Sequence, residues 1–105
     1  MLFVETPVFT RRIRGFLRDD EYRALQAALL LRPEQGLLIQ GSGGLRKIRW
    51  GTRSGGKRGG HRIIYYWDGK SETFYMLFIY AKSEREDLTR EQIKALREIV
   101  REEFK

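Results

Sequence analysis

The dipeptide Asp68-Gly69 stands between two runs suited to extended chain, His61 to Trp67 and Glu72 to Ala81. Both runs are rich in β-branched and aromatic residues, and Asp-Gly is a strong signal for a two-residue hairpin turn. An antiparallel hairpin is therefore predicted, and the rest of the chain must be arranged around it. Upstream, Leu45 to Trp50 alternates in character as a strand does, so three antiparallel strands are expected, with Glu72–Ala81, the most apolar, at the centre. Alternation also assigns faces. Leu45, Lys47 and Arg49 share one side, and Arg46, Ile48 and Trp50 the other, while Arg62, Ile64 and Tyr66 share a face of the next strand.

Around this sheet the sequence predicts helices. Residues 2–5 form a short strand, Thr6 supplies an N-cap and Pro7 the first helical position. Phe9, Ile13 and Phe16 then fall on one face of a helix that ends near Gly15. Asp19 or Asp20 caps a second helix carrying Tyr22, Leu25 and Leu29, which Pro33 and Gly36 terminate, so the two helices form a hairpin. Gly36 to Gly44 is a glycine-rich connection interrupted by Leu37-Leu38-Ile39. A capping box from Thr89 to Gln92, with a staple from Leu88 to Ile93, opens a last helix whose Ile93, Leu96, Val100 and Phe104 face the sheet. The expected fold is α+β in the order βααβββα: a mainly antiparallel sheet with an N-terminal helical hairpin and a C-terminal helix. With 105 residues, two prolines and no break in composition, residues 1–105 are read as one domain.

The chain has no cysteine, which excludes a disulfide framework and thiolate metal ligands and suits a reducing cytosol. Its N-terminus lacks the pattern of a signal peptide, and its longest apolar run, Phe74 to Ala81, is too short to span a bilayer, so a soluble, cytoplasmic protein without membrane attachment is expected. Net charge is +7, and its placement matters more than its size. Residues 41–67 contain Arg46, Lys47, Arg49, Arg53, Lys57, Arg58 and Arg62 with no Asp or Glu, whereas elsewhere 14 cations balance 14 acids. Charge concentrated in this way attracts polyanions through phosphate neutralisation and counterion release.

Gly51 to Arg58 nearly spells a nucleotide-binding phosphate loop, but Arg58 stands where a magnesium-binding Ser or Thr belongs, and a strand rather than a helix follows. Residues 51–60, with five glycines and three cations, are instead an irregular loop. Such cations suit RNA cleavage without metal: arginine stabilises the charge on a phosphorane, and a lysine crowded by other cations has its pKa lowered towards use as a base. A binding surface without chemistry has the same composition. Glu84, Glu86 and Asp87 precede a helix and suit its N-terminal dipole, so neither a metal site nor a cofactor is expected. His61, the sole histidine, is placed to assist proton transfer, to stack on a base, or to be structural. Some of Tyr65, Tyr66, Trp67, Tyr75 and Tyr80 offer stacking surface, although most belong to a core. Arg62 shares its face with apolar residues, where an unpaired guanidinium is costly, and a site role accounts for it best.

The run LRKIRWGTRSGGKRGGHRIIYYW, followed by FYMLFIYAKSEREDLT, resembles the RelE/ParE toxin superfamily, and within it the HigB-like branch of RelE-type toxins. The resemblance covers nearly the whole chain. It implies a ribosome-dependent mRNA interferase that cuts the message in the A site, close to 16S rRNA, leaving a cyclic phosphate and a 5′-hydroxyl, and a cognate HigA-like helix-turn-helix antitoxin. The family's paired strand cations match Lys47 and Arg49, its next-strand arginine matches Arg62, and the lysine after its last strand matches Lys82. These four are the candidate catalytic residues. Arg46, Arg53, Lys57, Arg58 and His61 are candidates for contact with RNA or the ribosome. Some members carry an arginine directly after that lysine and a tyrosine further on, where this chain has Ser83 and Thr89. Two rivals share the fold: a ParE-like toxin that poisons DNA gyrase by protein contact, and a relative that binds RNA without cutting it.

Overall fold

The computed structural model describes residues 1–51 and 60–103. In chain order it consists of β1 (Leu2–Glu5), α1 (Pro7–Phe16), α2 (Asp19–Leu31), β2 (Leu37–Leu38), β3 (Leu45–Trp50), β4 (His61–Asp68), β5 (Thr73–Ala81) and α3 (Arg90–Glu103). This is the expected α+β order with one addition, the two-residue β2, which lies within the stretch read as a glycine-rich connection. The sheet runs β1-β5-β4-β3-β2, so the centre is held by β4 and not, as expected, by the more apolar β5, which lies between β4 and β1. β3, β4 and β5 pair antiparallel as predicted, and β1 pairs parallel to β5, from Leu2 opposite Thr73 to Glu5 opposite Met76.

The hairpin turn differs from the expected two residues. β4 runs on to Asp68, which pairs with Thr73, and residues 69–72 connect them. The Asp68 carboxylate accepts from Lys70 N (3.1 Å) and Ser71 Oγ (2.8 Å), so the aspartate builds the turn through its side chain. Glu72, at φ 52°, takes the left-handed conformation in this turn. A second correction concerns α2. Its N-cap is Arg18, whose backbone N–H donates to Glu21 Oε1 at 2.8 Å, while Asp19 and Asp20 occupy the first turn, where carboxylates favour the helix dipole.

The sheet is covered on both faces. On one, Phe9 and Ile13 of α1 and Leu25 and Leu29 of α2 pack with Ile48, Ile63, Tyr65, Phe74, Met76 and Ile79. On the other, Leu96 and Val100 of α3 pack with Leu45, Ile64, Leu77 and Tyr80. The register of β4 against β5 slips between Ile64 and Tyr65, leaving Leu77 without an opposite residue. Thr6 uses this bulge: its hydroxyl donates to Leu77 O (2.8 Å) and accepts from Phe9 N (3.1 Å), so one buried side chain caps α1 and anchors it to β5. The capping box of α3 is the predicted one, with Gln92 N donating to Thr89 Oγ1 and Thr89 N to Gln92 Oε1. Phe104 and the interior of the 51–60 loop lie outside the described residues.

Candidate functional site

The bulge at Leu77 places Tyr80 opposite Arg62, and the β3–β4 register places Arg62 opposite Arg49. Arg49, Arg62 and Tyr80 therefore form one row across three strands, on the face shared with α3. Like charges directly opposed on neighbouring strands are destabilising. The two guanidinium groups nevertheless converge: a Cβ built on Gly60 would stand 3.5 Å from Arg62 Nη1 and 3.8 Å from Arg49 Nε. Among the described residues neither has a carboxylate within ion-pair distance, and Arg62 makes one long bond, 3.4 Å, to Gly60 O. Two converging unpaired guanidiniums form a ready site for an anion with several oxygens.

Lys47 lies two residues along β3 from Arg49, and its Nζ donates to Asp87 Oδ1 at 2.6 Å. Lys47, Arg49 and Arg62 line a hollow of about 330 Å³ walled by Gln35, Gly36 and Leu37. Leu37 and Lys47 also line a second hollow, of about 380 Å³, which reaches Tyr80 and Asp87. The two hollows thus form one trench between the β2 edge and the segment leading into α3. Tyr80 is fully buried in its floor, and its hydroxyl has no hydrogen-bond partner among the described residues. Burial, reinforced by the Asp87 carboxylate, pushes that hydroxyl above the ordinary tyrosine range, with Arg62 and Arg85 opposing.

Several predicted site residues lie elsewhere. Arg46 donates to Glu34 O (3.0 Å) and Gly36 O (2.8 Å) and pairs with Glu34, so it fastens the 34–36 loop and is turned away from the arginine pair. Lys82 is exposed in the turn after β5 and lines neither hollow of the trench. Arg53, Lys57 and Arg58 lie outside the described residues. His61 points to the α1 face, where its ring meets Phe16 edge-on at 5.2 Å and its Nδ1 is buried without a partner among the described residues. Sequence reasoning missed Asp87 and Tyr80 as members of the trench. Tyr80 was within reach of alternation, once the bulge is known, whereas the Lys47–Asp87 pair joins residues 40 apart in sequence and leaves no local trace. Among the described residues no group of three or more His, Asp or Glu is placed to hold a metal ion, and no helix is long and apolar enough to cross a membrane.

The surroundings of His61 make a pH prediction. Burial lowers its pKa from the ordinary 6.5, while the Glu21 carboxylate pulls weakly the other way. A lowered folded-state pKa means that the unfolded chain binds the proton first, so stability is complete above about pH 6.5 and declines as pH falls towards the folded pKa. The melting temperature is expected to drop between about pH 7.5 and 5.5 in the native chain and to drop less in His61→Gln. An equal drop in both would mean that other groups carry the effect.

The fold and the site together define a small α+β domain whose sheet presents, in an open trench, an arginine pair without a counter-charge among the described residues, an arrangement suited to polyanions. Solved structures with this fold include an arginine-substituted double mutant of the Escherichia coli toxin RelE in the free state, which aligns with a TM-score of 0.57 at 17% identity over 81% of this chain and 86% of that one. Residues 6–105 match the family model of the RelE toxin of the RelE/RelB toxin-antitoxin system. The chain belongs to this family and is the toxin of a toxin-antitoxin pair, with an antitoxin as its partner.

Proposed function

We propose that this toxin is a ribosome-dependent mRNA endonuclease of the HigB-like branch, with residues 1–105 acting as one toxin domain. It works in the cytoplasm, cuts the message in the ribosomal A site beside 16S rRNA, and is held inactive by a HigA-like helix-turn-helix antitoxin. The observation that carries this reading is the convergence of Arg49 and Arg62 beside Gly60, without a counter-charge among the described residues. A paired cation site that costs stability is best accounted for by an anion that completes it.

In the proposed reaction the 2′-oxygen of one nucleotide bonds to the adjacent phosphorus, and the bond from phosphorus to the 5′-oxygen of the next nucleotide breaks. One proton leaves the 2′-hydroxyl and one reaches the 5′-oxygen, giving a 2′,3′-cyclic phosphate and a 5′-hydroxyl without consuming water. Arg62, with Arg49 beside it, takes up the charge on the phosphorane oxygens, so no metal ion is required for that task. Lys47 is the proton carrier preferred over Lys82, because it lines the trench and Lys82 does not. Lys47 is also tethered by Asp87, and a lysine in that pair must exchange partners before it can act as a base. Arg53, Lys57 and Arg58 hold the RNA backbone through phosphate contacts.

Primer extension on a defined mRNA tests the reading, with purified ribosomes present in one reaction and omitted from another. Cuts that appear only with ribosomes, ending in a cyclic phosphate, are expected. Growth arrest in cells without cuts in any message would shift the assignment to a gyrase-poisoning toxin and leave the trench as a binding surface.

A further inference from the structure

We infer that the outer face of α3 is a second phosphate-backbone site, which anchors RNA at a distance from the Arg49–Arg62 pair. The inference rests on reading that pair as an RNA site, and it adds a surface on a different element. Arg90, Lys94, Arg97 and Arg101 recur at intervals of four, three and four residues, which places them along one stripe of the helix about 16 Å long. All four line a groove of about 790 Å³ whose opposite wall is Gln40 and Gly41. Glu98 is the one acid among its lining residues. Where Arg12, Arg18, Arg46 and Lys47 are matched with carboxylates, none of the four has one within ion-pair distance among the described residues.

The loop that continues from this wall packs against the stripe itself. Gly41, Gly43 and Gly44 all have positive φ, and a Cβ on Gly43 would stand 3.1 Å from Arg97 Nε. Glycine there lets the arginine lie against bare backbone. The groove is also continuous with the trench: it shares Gln40, Leu88 and Ile93 with the hollow that reaches Lys47 and Tyr80. A single strand can therefore pass from the arginine pair by way of Lys47 to the α3 stripe, crossing a largely apolar stretch between Leu37 and Ile93. An acidic protein segment fits less well, because protein interfaces centre on buried aromatic or apolar anchors, whereas this groove offers Leu88 and Ile93 beneath a row of cations.

The test replaces the stripe with Arg90→Gln, Lys94→Gln, Arg97→Gln and Arg101→Gln in the full chain and measures fluorescence anisotropy with a labelled single-stranded RNA over a range of salt. Each lost phosphate contact lowers the slope of log affinity against log salt by about 0.7 for single strands, so a fall of about 2.8 is expected with a long oligonucleotide and none with a trinucleotide. That result assigns the stripe to the message. A long-oligonucleotide slope that holds while ribosome pelleting weakens supports the same phosphate chemistry with ribosomal RNA as its source.

A matched variant, Arg11→Gln with Arg14→Gln, Arg23→Gln and Lys70→Gln, removes equal charge elsewhere. Equal losses in both variants would reduce the effect to net charge and overturn the inference, as would losses confined to antitoxin binding. If the fourfold variant melts early, Lys94→Gln with Arg101→Gln is expected to show half the change in slope. A protein that binds RNA through the stripe but cuts nothing would sink the endonuclease reading alone; one that cuts with an unchanged slope in RNA and ribosome binding would sink the stripe alone.

Discussion

Arg62→Ala is expected to lower mRNA cleavage by about a hundredfold or more, the usual loss when one preorganised donor to a developing oxyanion is removed. The melting temperature is expected to hold or rise slightly, because the substitution relieves the opposition of Arg62 to Arg49 across β3 and β4. The two readouts separate chemistry from folding: a residue kept for structure would show the reverse pattern. Arg62→Lys supplies the intermediate case, since it keeps the charge but loses the planar fork that binds two phosphate oxygens at once, and it should recover part of the rate. The measurement is single-turnover primer extension at saturating toxin, which isolates the chemical step from ribosome binding. A folded Arg62→Ala protein that cuts at the native rate would remove the arginine pair from the mechanism.

The features legible in the sequence are those set by local periodicity. Alternation along residues 45–50 and 62–66 grouped Leu45 with Lys47 and Arg49, and Arg62 with Ile64; the strand register then brings the two groups together on the face that α3 covers. The capping signals of α1 and α3 were equally plain, because each is a side chain answering a backbone group a few residues away. Contacts between distant segments were not legible. The two-residue β2 is too short for a pattern of its own, and it exists because β3 offers an edge to Leu37 and Leu38. Arg46 appeared in sequence to be one more cation of the basic window, yet the 34–36 loop passes close enough to use its donors. His61 follows the same rule: its position beside the basic loop suggested chemistry, while alternation alone would have put it opposite to Arg62 in facing, towards Phe16.

Tyr65 carries the second large effect, on stability and through stability on the site. Its ring is fully buried in the α1–α2 face of the sheet, and its hydroxyl donates to Pro33 O at 2.7 Å and accepts from Gly36 N at 3.0 Å. The loop after α2 is thus closed over the ring. A Cβ on Gly36 would stand 2.8 Å from Tyr65 Cε1, a separation that only glycine permits. Tyr65→Phe keeps the packing and removes one oxygen, leaving the buried Gly36 N–H without its acceptor and Pro33 O without its donor. A stranded buried polar group costs about 1–3 kcal/mol; the Gly36 N–H is buried and Pro33 O only partly so, and losing both bonds should cost about 2–4 kcal/mol. For a domain of this size each kcal/mol lowers the melting temperature by roughly 4–8 °C, and a fall of about 10 °C or more is expected. Gly36→Ala should destabilise through the same contact, and the double variant should lose less than the sum of the two, since the hydrogen bond can be lost only once. Because Gly36 and Leu37 wall the hollow that holds Arg49 and Arg62, Tyr65→Phe should also slow cleavage below its melting transition. A melting temperature within about 2 °C of native would show that the loop is held by Arg46 and Gln35 instead, and would remove the link from Tyr65 to the trench.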